Sequence, residues 1–301
     1  MTRPMILVTG AGGKTGRAII RALAARREGA GTPVHAFVHR PEQVDAARSL
    51  GAHAVSVGDL QDVDALAAAA LGAHAIYHIC PNVSAFEVPI GRAVMTAAIR
   101  SGVRRFVFHS VLHPQIAAMP HHWDKLRVEE MLLGSDLDVT VLQPTAYMQN
   151  ILAGWSGIGA SVYRVPYPTD TRLSLVDLDD VAAAAAVVLT TSGHGGATYE
   201  LVGTPPLDPR KIAATLSEVL RRPVRAEAQS IDDWDAQVRA SGLGDYQRDT
   251  LIRMFRWYAQ HGLVGNTNVL RWLLGREPTT LAQFAQRVAR GQAGQKTPGA
   301  R

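Results

Sequence analysis

The stretch VTGAGGKTG, Val8 to Gly16, carries the residue types that grip phosphate. Gly13-Lys14-Thr15 resembles the end of a triphosphate loop, but that loop needs a glycine five residues before Gly13, and Val8 stands there. The alternative spacing, Gly10-x-x-Gly13-x-x-Gly16, suits a dinucleotide. One glycine permits a tight turn, one lets backbone approach pyrophosphate, and one lets the following helix pack close. The N–H groups of Lys14, Thr15 and Gly16 would then face the pyrophosphate from a helix N-terminus. Gly12 adds a fourth glycine to the same loop.

The next strand end reads His35-Ala36-Phe37-Val38-His39-Arg40-Pro41, without the acid that binds an unphosphorylated ribose. Arg40 can instead pair with a 2′-phosphate through two parallel N–H bonds, which favours NADP(H) over NAD(H). Its plainer role is a solvent-facing arginine opening a helix. Asp59, in Gly58-Asp59-Leu60, suits adenine contact, and a turn or N-cap carboxylate explains it almost as well.

These residues need elements to hold them, and the first half of the chain alternates strictly. Strands are expected at Met5–Thr9, Val34–Val38, Ala54–Val57, Ala75–Ile79, Arg105–His109 and Val139–Leu142. Helices are expected at Lys14–Glu28, from Pro41 to about Leu50, and at Val63–Leu71, Ile90–Ser101 and Trp123–Leu133. Such alternation implies right-handed crossovers and an α/β fold, a doubly wound parallel sheet of Rossmann type. Ligands in such sheets lie at the carboxyl ends of the strands. Here those ends present the glycine loop, Arg40, Asp59, Cys80-Pro81-Asn82, Ser110 and Gln143–Asn150, which includes Pro144.

After Gln143 the rhythm breaks. Short strands are expected at Ala160–Val165, Leu173–Val176 and Thr198–Val202. Helices are expected at Asp179–Leu189, Pro209–Leu220, Ile231–Ala240, Asp245–His261 and Thr280–Arg290. This reads as a nucleotide-binding domain over 1–150 and a smaller, mainly helical substrate region over 151–290, partly returning to the sheet. A disordered tail over 291–301 follows, since GQAGQKTPGAR lacks apolar anchors.

Composition narrows the partners. Of 301 residues 47% are hydrophobic and 19% charged, enough for a sizeable core. The net charge of +5 comes from scattered arginines without a like-charge block, which argues against nucleic acid. A single cysteine, Cys80, fits a reducing compartment, and no apolar run reaches the length of a membrane span. A cytoplasmic protein with a small-molecule substrate is expected, with homodimerisation open. Cys80 ends an apolar strand and reads as a small buried hydrophobe. The adjacent His121 and His122 project in different directions, so no metal site is expected, and the absence of a G-x-S-x-G elbow disfavours a hydrolase.

Taken together, VTGAGGKTG, VHAFVHRPE, VSVGDLQD, RRFVFHSVLHP, HHWDKLRVEEML, LDVTVLQPTAYMQN and LVDLDDVAAAAAVVL resemble the NmrA-like branch of the atypical short-chain dehydrogenase/reductases, in order from residue 5 to about 290. The resemblance implies an NADP-binding Rossmann domain and a variable C-terminal region shaping a substrate pocket. That branch includes reductases of quinones, dyes and phenylpropanoids, and regulators that bind the dinucleotide without known turnover. It implies a cofactor site over Gly10, Gly12, Gly13, Lys14, Thr15, Gly16, Arg40, Asp59, Leu60, Cys80, Pro81, Asn82, Lys125 and Pro144.

In short-chain dehydrogenases a Ser after the fifth strand works with a Tyr-x-x-x-Lys pair on the next helix. Ser110 and Lys125 fit that pattern, but His121 stands where the tyrosine belongs. Imidazole titrates near neutral pH, so His121 is a candidate proton donor, with pocket lining as its competing role. Lys125 is expected on ribose or substrate; its plainer role is an exposed ion pair with Asp124 and Glu129. His113 is a second donor or part of the turn before Pro114. Tyr147, Met148 and Asn150 are expected at the substrate, or else pack between the two halves. The implied function is NADP(H)-dependent hydride transfer to a small conjugated, quinone-like or carbonyl acceptor. The alternative is an NADP(H)-sensing regulator.

Overall fold

Strand β1 (Met5–Val8) is apolar throughout, and Ile6, Leu7 and Val8 are all but inaccessible. A run buried on both faces marks a central strand of a parallel sheet. The computed structural model describes residues 4–25 and 32–295. The expected reach of the first helix to Glu28 and residues 296–301 of the expected tail lie outside them.

From β1 the chain continues through α1 (Lys14–Ala24), β2 (Val34–Val38), α2 (Val44–Ser49), β3 (Ala54–Val57), α3 (Val63–Ala70) and β4 (Ala73–His78). Then come α4 (Glu87–Arg100), β5 (Arg105–His109), α5 (Pro120–Leu133) and β6 (Asp138–Pro144). The second half adds β7 (Ala146–Tyr147), α6 (Trp155–Gly159), β8 (Val162–Val165), β9 (Leu175–Val176), α7 (Leu178–Thr190), β10 (Thr198–Leu201), α8 (Pro209–Leu220) and β11 (Arg225–Ala228). It ends with α9 (Ile231–Ala240), α10 (Asp245–His261), α11 (Asn268–Leu274) and α12 (Leu281–Gln295).

Seven strands form one parallel sheet in the order β10-β6-β5-β4-β1-β2-β3. The order reverses at β1, whose neighbours are β2 and β4. Right-handed crossovers then send α1 and α4 to opposite faces, and the crevice of a doubly wound sheet opens at that point. Beneath α3, α4 and α5 lies one apolar core that includes Leu7, Phe37, Ile76, Phe106, Phe108, Val94 and Val128.

Two compact units result: Met1–Pro144 with Val181–Leu201, and Thr145–Asp180 with Val202–Arg301. The second is held by an apolar core that includes Tyr163, Val165, Ile212, Leu216 and Phe284. Within it, Arg287 reaches Asp177 and Arg276 reaches Asp180, each at 2.6 Å, and both carboxylates are buried.

Several elements differ from expectation. Helix α5 starts at Pro120 rather than Trp123, because proline at the first helical position has no N–H to lose and a φ already suited to the turn. This puts His121 and Lys125 on one helix. The segment after Arg40 is a 3-10 turn over Pro41–Gln43 leading into α2. Strand β11, with sequence RAEA, carries no β-branched residue and pairs in parallel with β8 all the same. Helices α6 and α11, strand β7 and the 3-10 helix Met148–Gly154 were likewise not expected. Helix α12 continues to Gln295, so residues 291–295 are helical where disorder was expected.

Candidate active site

The glycine loop follows β1 and turns directly into α1. Gly10 has φ +59, and a Cβ there would meet the Ile79 carbonyl oxygen at 2.6 Å. A Cβ on Gly16 would meet the Gly10 oxygen at 2.5 Å and the Ala11 Cα at 2.6 Å. These two glycines serve the turn and the close seat of α1 on the loop. Gly13 is different. It is exposed, and its Cβ would meet nothing nearer than the Gly10 oxygen at 3.4 Å. Gly13 is also the N-cap of α1, and no side chain caps that helix. Its first N–H groups are left for something outside the chain. Lys14 is exposed and Thr15 half-buried beside them.

Arg40 is exposed at the end of β2, and among the described residues its guanidinium makes no ion pair. Asp59 is exposed after β3 and accepts from Gln61 N–H at 2.8 Å, the turn role weighed for it, while Asp62 supplies the N-cap of α3. Leu60 packs on the apolar core. Cys80 is buried after β4, and burial, reinforced by Glu87, pushes its thiol well above the ordinary range. It is the inert hydrophobe its sequence context implied. Pro81 and Asn82 are exposed just beyond. A cradle open at Gly13, uncapped α1 N–H groups and cations at Lys14 and Arg40 together fit the donor set a phosphorylated dinucleotide requires.

Under the strand ends lies a buried polar network. Thr9 Oγ1 accepts from Ile79 N–H at 3.0 Å and is hydrogen-bonded to His78 Nδ1 at 2.8 Å. Tyr77 Oη and His109 Nδ1 are 2.7 Å apart. Lys125 Nζ donates to Glu87 Oε1 at 2.9 Å and to the His109 carbonyl at 3.2 Å, and it lies 5.2 Å from the Phe108 ring centre. The exposed pairing with Asp124 and Glu129 is therefore not formed. Asp124 pairs with Arg127, and Glu129 takes other donors.

Ser110 is buried and donates to Glu129, whose carboxylate also receives the Gln143 amide at 3.0 and 3.1 Å. Burial raises the Glu129 carboxyl against those hydrogen bonds. The Ser110 hydroxyl thus ties β5 to α5.

His121 sits edge-on to His122, ring centres 4.6 Å apart, with its Nδ1 buried and unpartnered. Burial, then the nearby His122 and Lys125, hold its pKa down at about 3. His122 Nδ1 donates to the His113 carbonyl at 3.1 Å, and its pKa falls to about 4, chiefly through burial. Burial and the charge of Lys125 hold His78 and His109 at about 3 as well. All four imidazoles are therefore held as neutral rings, each feeling the charge of Lys125.

His113 itself adopts a left-handed φ of 55, and its Nδ1 is 3.9 Å from Glu200 Oε1. Pro144 ends β6, buried, its carbonyl accepting from Leu112 N–H. Tyr147, Met148 and Asn150 belong to the second unit. Tyr147 is half-buried, Asn150 is exposed, and Met148 is wholly buried within that unit's own apolar core. Sequence reasoning missed Glu87, Gln43 and the Tyr77–His109 pair, and it placed Gln143 at a strand end without its bond to Glu129.

A family model described as the NmrA-like family matches residues 2–286. The chain belongs to the NmrA-like family. Among its relatives, Quinone oxidoreductase 2 of Escherichia coli is 28% identical over 281 residues, which are 93% of this chain and 96% of that one. An NAD(P)H azoreductase of Xenophilus azovorans is 28% identical over 289 residues, 94% and 97% of the two chains. The solved NADPH complex of the E. coli NADPH-dependent quinone oxidoreductase superposes with a TM-score of 0.81 at 27% identity, covering 95% of this chain and all of that one. Among the described residues no helix is long and apolar enough to cross a membrane.

Proposed function

We propose that this NmrA-like chain is an NADP(H)-dependent reductase of a small, quinone-like or otherwise conjugated acceptor. Similarity along nearly the whole chain to a quinone oxidoreductase and an azoreductase supports an NAD(P)H-dependent oxidoreductase. When bound, the cofactor supplies the hydride. The glycine loop and the N-terminus of α1 bind its pyrophosphate, Arg40 its 2′-phosphate, and Lys125 orients the ribose next to the nicotinamide.

The observation that carries the choice of acceptor is how the groups under the strand ends are held, with His121 Nδ1 buried and Lys125 engaged by Glu87. His121 stands in the position of an acid, yet its pKa of about 3 leaves it a neutral imidazole at physiological pH. Lys125 is held by Glu87 and the His109 carbonyl. A simple ketone reduced beside such groups would leave as a costly alkoxide. A quinone spreads the new charge over its rings and takes its proton later from water. NADPH oxidation over a panel of quinones, enones and ketones tests this reading. Quinones should turn over fastest, and a preference for simple ketones would overturn the acceptor class. An NADP(H)-sensing role would appear as NADPH binding with no turnover on any member of the panel.

A further inference from the structure

We propose that Gln43 is a positioning residue that latches the Arg40 turn onto the glycine loop, and that this latch sets the preference for a 2′-phosphorylated dinucleotide. The inference deepens the proposed function and rests on its NADP(H) reading. Gln43 Oε1 accepts from two successive backbone N–H groups, His39 at 3.1 Å and Arg40 at 3.0 Å. The Gln43 N–H donates back to the Arg40 carbonyl at 3.1 Å. Gln43 thus fixes the backbone on both sides of the Arg40 Cα, its side chain before it and its own N–H after it, and with them the point from which the Arg40 side chain leaves the turn.

The other end of the same amide makes the second contact. A Cβ added to Gly12 would lie 2.3 Å from Gln43 Nε2 and 2.4 Å from its Cδ. The amide therefore lies flat against the Gly12 Cα, in space that any side chain there would fill. Gly12 lies outside the Gly10-Gly13-Gly16 spacing and lacks a positive φ, so neither the fingerprint nor strain explains it. Making room for Gln43 does. The pyrophosphate cradle and the 2′-phosphate arginine are thereby joined through one amide, alongside the Ala11 N–H to Phe37 carbonyl bond at 3.2 Å.

The test is the ratio of NADPH to NADH affinity, measured by calorimetry on the full chain for the wild type, Gln43→Ala, Gly12→Ala and the double variant. Losing the two acceptor bonds that hold Arg40 should lower that ratio roughly three- to tenfold, the range of one net hydrogen bond. A merely structural role would weaken both cofactors together and leave the ratio alone. Gly12→Ala, which displaces the amide, should lower the ratio similarly and add nothing in the Gln43→Ala background. A wild type that prefers NADPH, with Gln43→Ala keeping the full ratio, overturns the latch alone. So does a further drop in the double variant, which would place the Gly12 Cβ against the ligand. Equal affinities in the wild type overturn the NADP(H) reading and the latch with it.

Discussion

Lys125 Nζ lies 2.9 Å from Glu87 Oε1, joining α5 to the first turn of α4 beneath the strand ends. The side chains are 16% and 4% exposed, so neither charge has much water to fall back on. Removing one partner leaves the other desolvated and unpaired. Lys125→Met should therefore cost about 3–5 kcal/mol of unfolding free energy, the range for breaking a buried pair. Replacing both, as Lys125→Met with Glu87→Met, should cost less than the single change. Urea denaturation of the three proteins reads this directly, and an unaltered midpoint in Lys125→Met would show that the pair is not formed.

Gly13 has room for a side chain as far as the protein is concerned and none once a pyrophosphate lies against it. Gly13→Val should retain the thermal transition of the wild type within about 1 kcal/mol, the ordinary scale of an exposed substitution. It should lose measurable NADPH binding. Normal binding by the variant would mean that the loop does not approach the ligand.

Arg40 projects from the turn that carries it without an ion-pair partner among the described residues. Arg40→Ala should narrow the difference between NADPH and NADH by about 1–3 kcal/mol, the scale of a charge-assisted hydrogen bond. Titration with both cofactors measures it. A variant with the wild-type difference would assign 2′-phosphate recognition elsewhere.

Three buried histidines and the half-buried His121 make the fold sensitive to acid. His78, His109 and His121 sit at about 3 and His122 at about 4, against an ordinary value of 6.5. Below that ordinary value the unfolded chain takes up protons that the folded chain refuses. Stability should therefore be full above about pH 6.5 and fall steadily toward pH 3–4, with up to about 1.4 kcal/mol per pH unit from each ring. The melting temperature followed from pH 7.5 to 4.5 checks the sign, and His122→Gln should flatten the slope.

The sequence made the backbone of this site legible because glycine, proline and apolar runs act locally. Gly10 and Gly16 are where a positive φ and a tight helix seat demand them, and β2, β3 and β5 have their expected bounds. The side-chain partnerships were not legible. Glu87 lies 38 residues from Lys125, and FEVPIG reads only as the opening of a helix. The depression of the His121 pKa comes from burial and two neighbouring groups, which no spacing rule reports. Met148 follows a sheet end like a substrate residue, yet the fold gives it to the core of the second unit. Strand β11 escaped notice because parallel pairing with β8, and no propensity of its own, holds it.

His121→Phe separates pocket lining from proton donation. With the imidazole neutral at pH 7, the change should alter quinone reduction by less than about threefold and should not single out ketones. A ketone-selective loss of about 10²–10⁴, the usual worth of a general acid, would restore His121 as the donor.

The central claim is hydride transfer from bound NADPH to a quinone-like acceptor, and a single-turnover experiment tests it most directly. The protein is saturated with NADPH, or with NADPH carrying deuterium at the transferable C4 position, and mixed rapidly with excess quinone. The account predicts oxidation of one equivalent of cofactor per site, slowed by the deuterium. Stoichiometric NADPH binding with no oxidation by quinones, enones or ketones would contradict it.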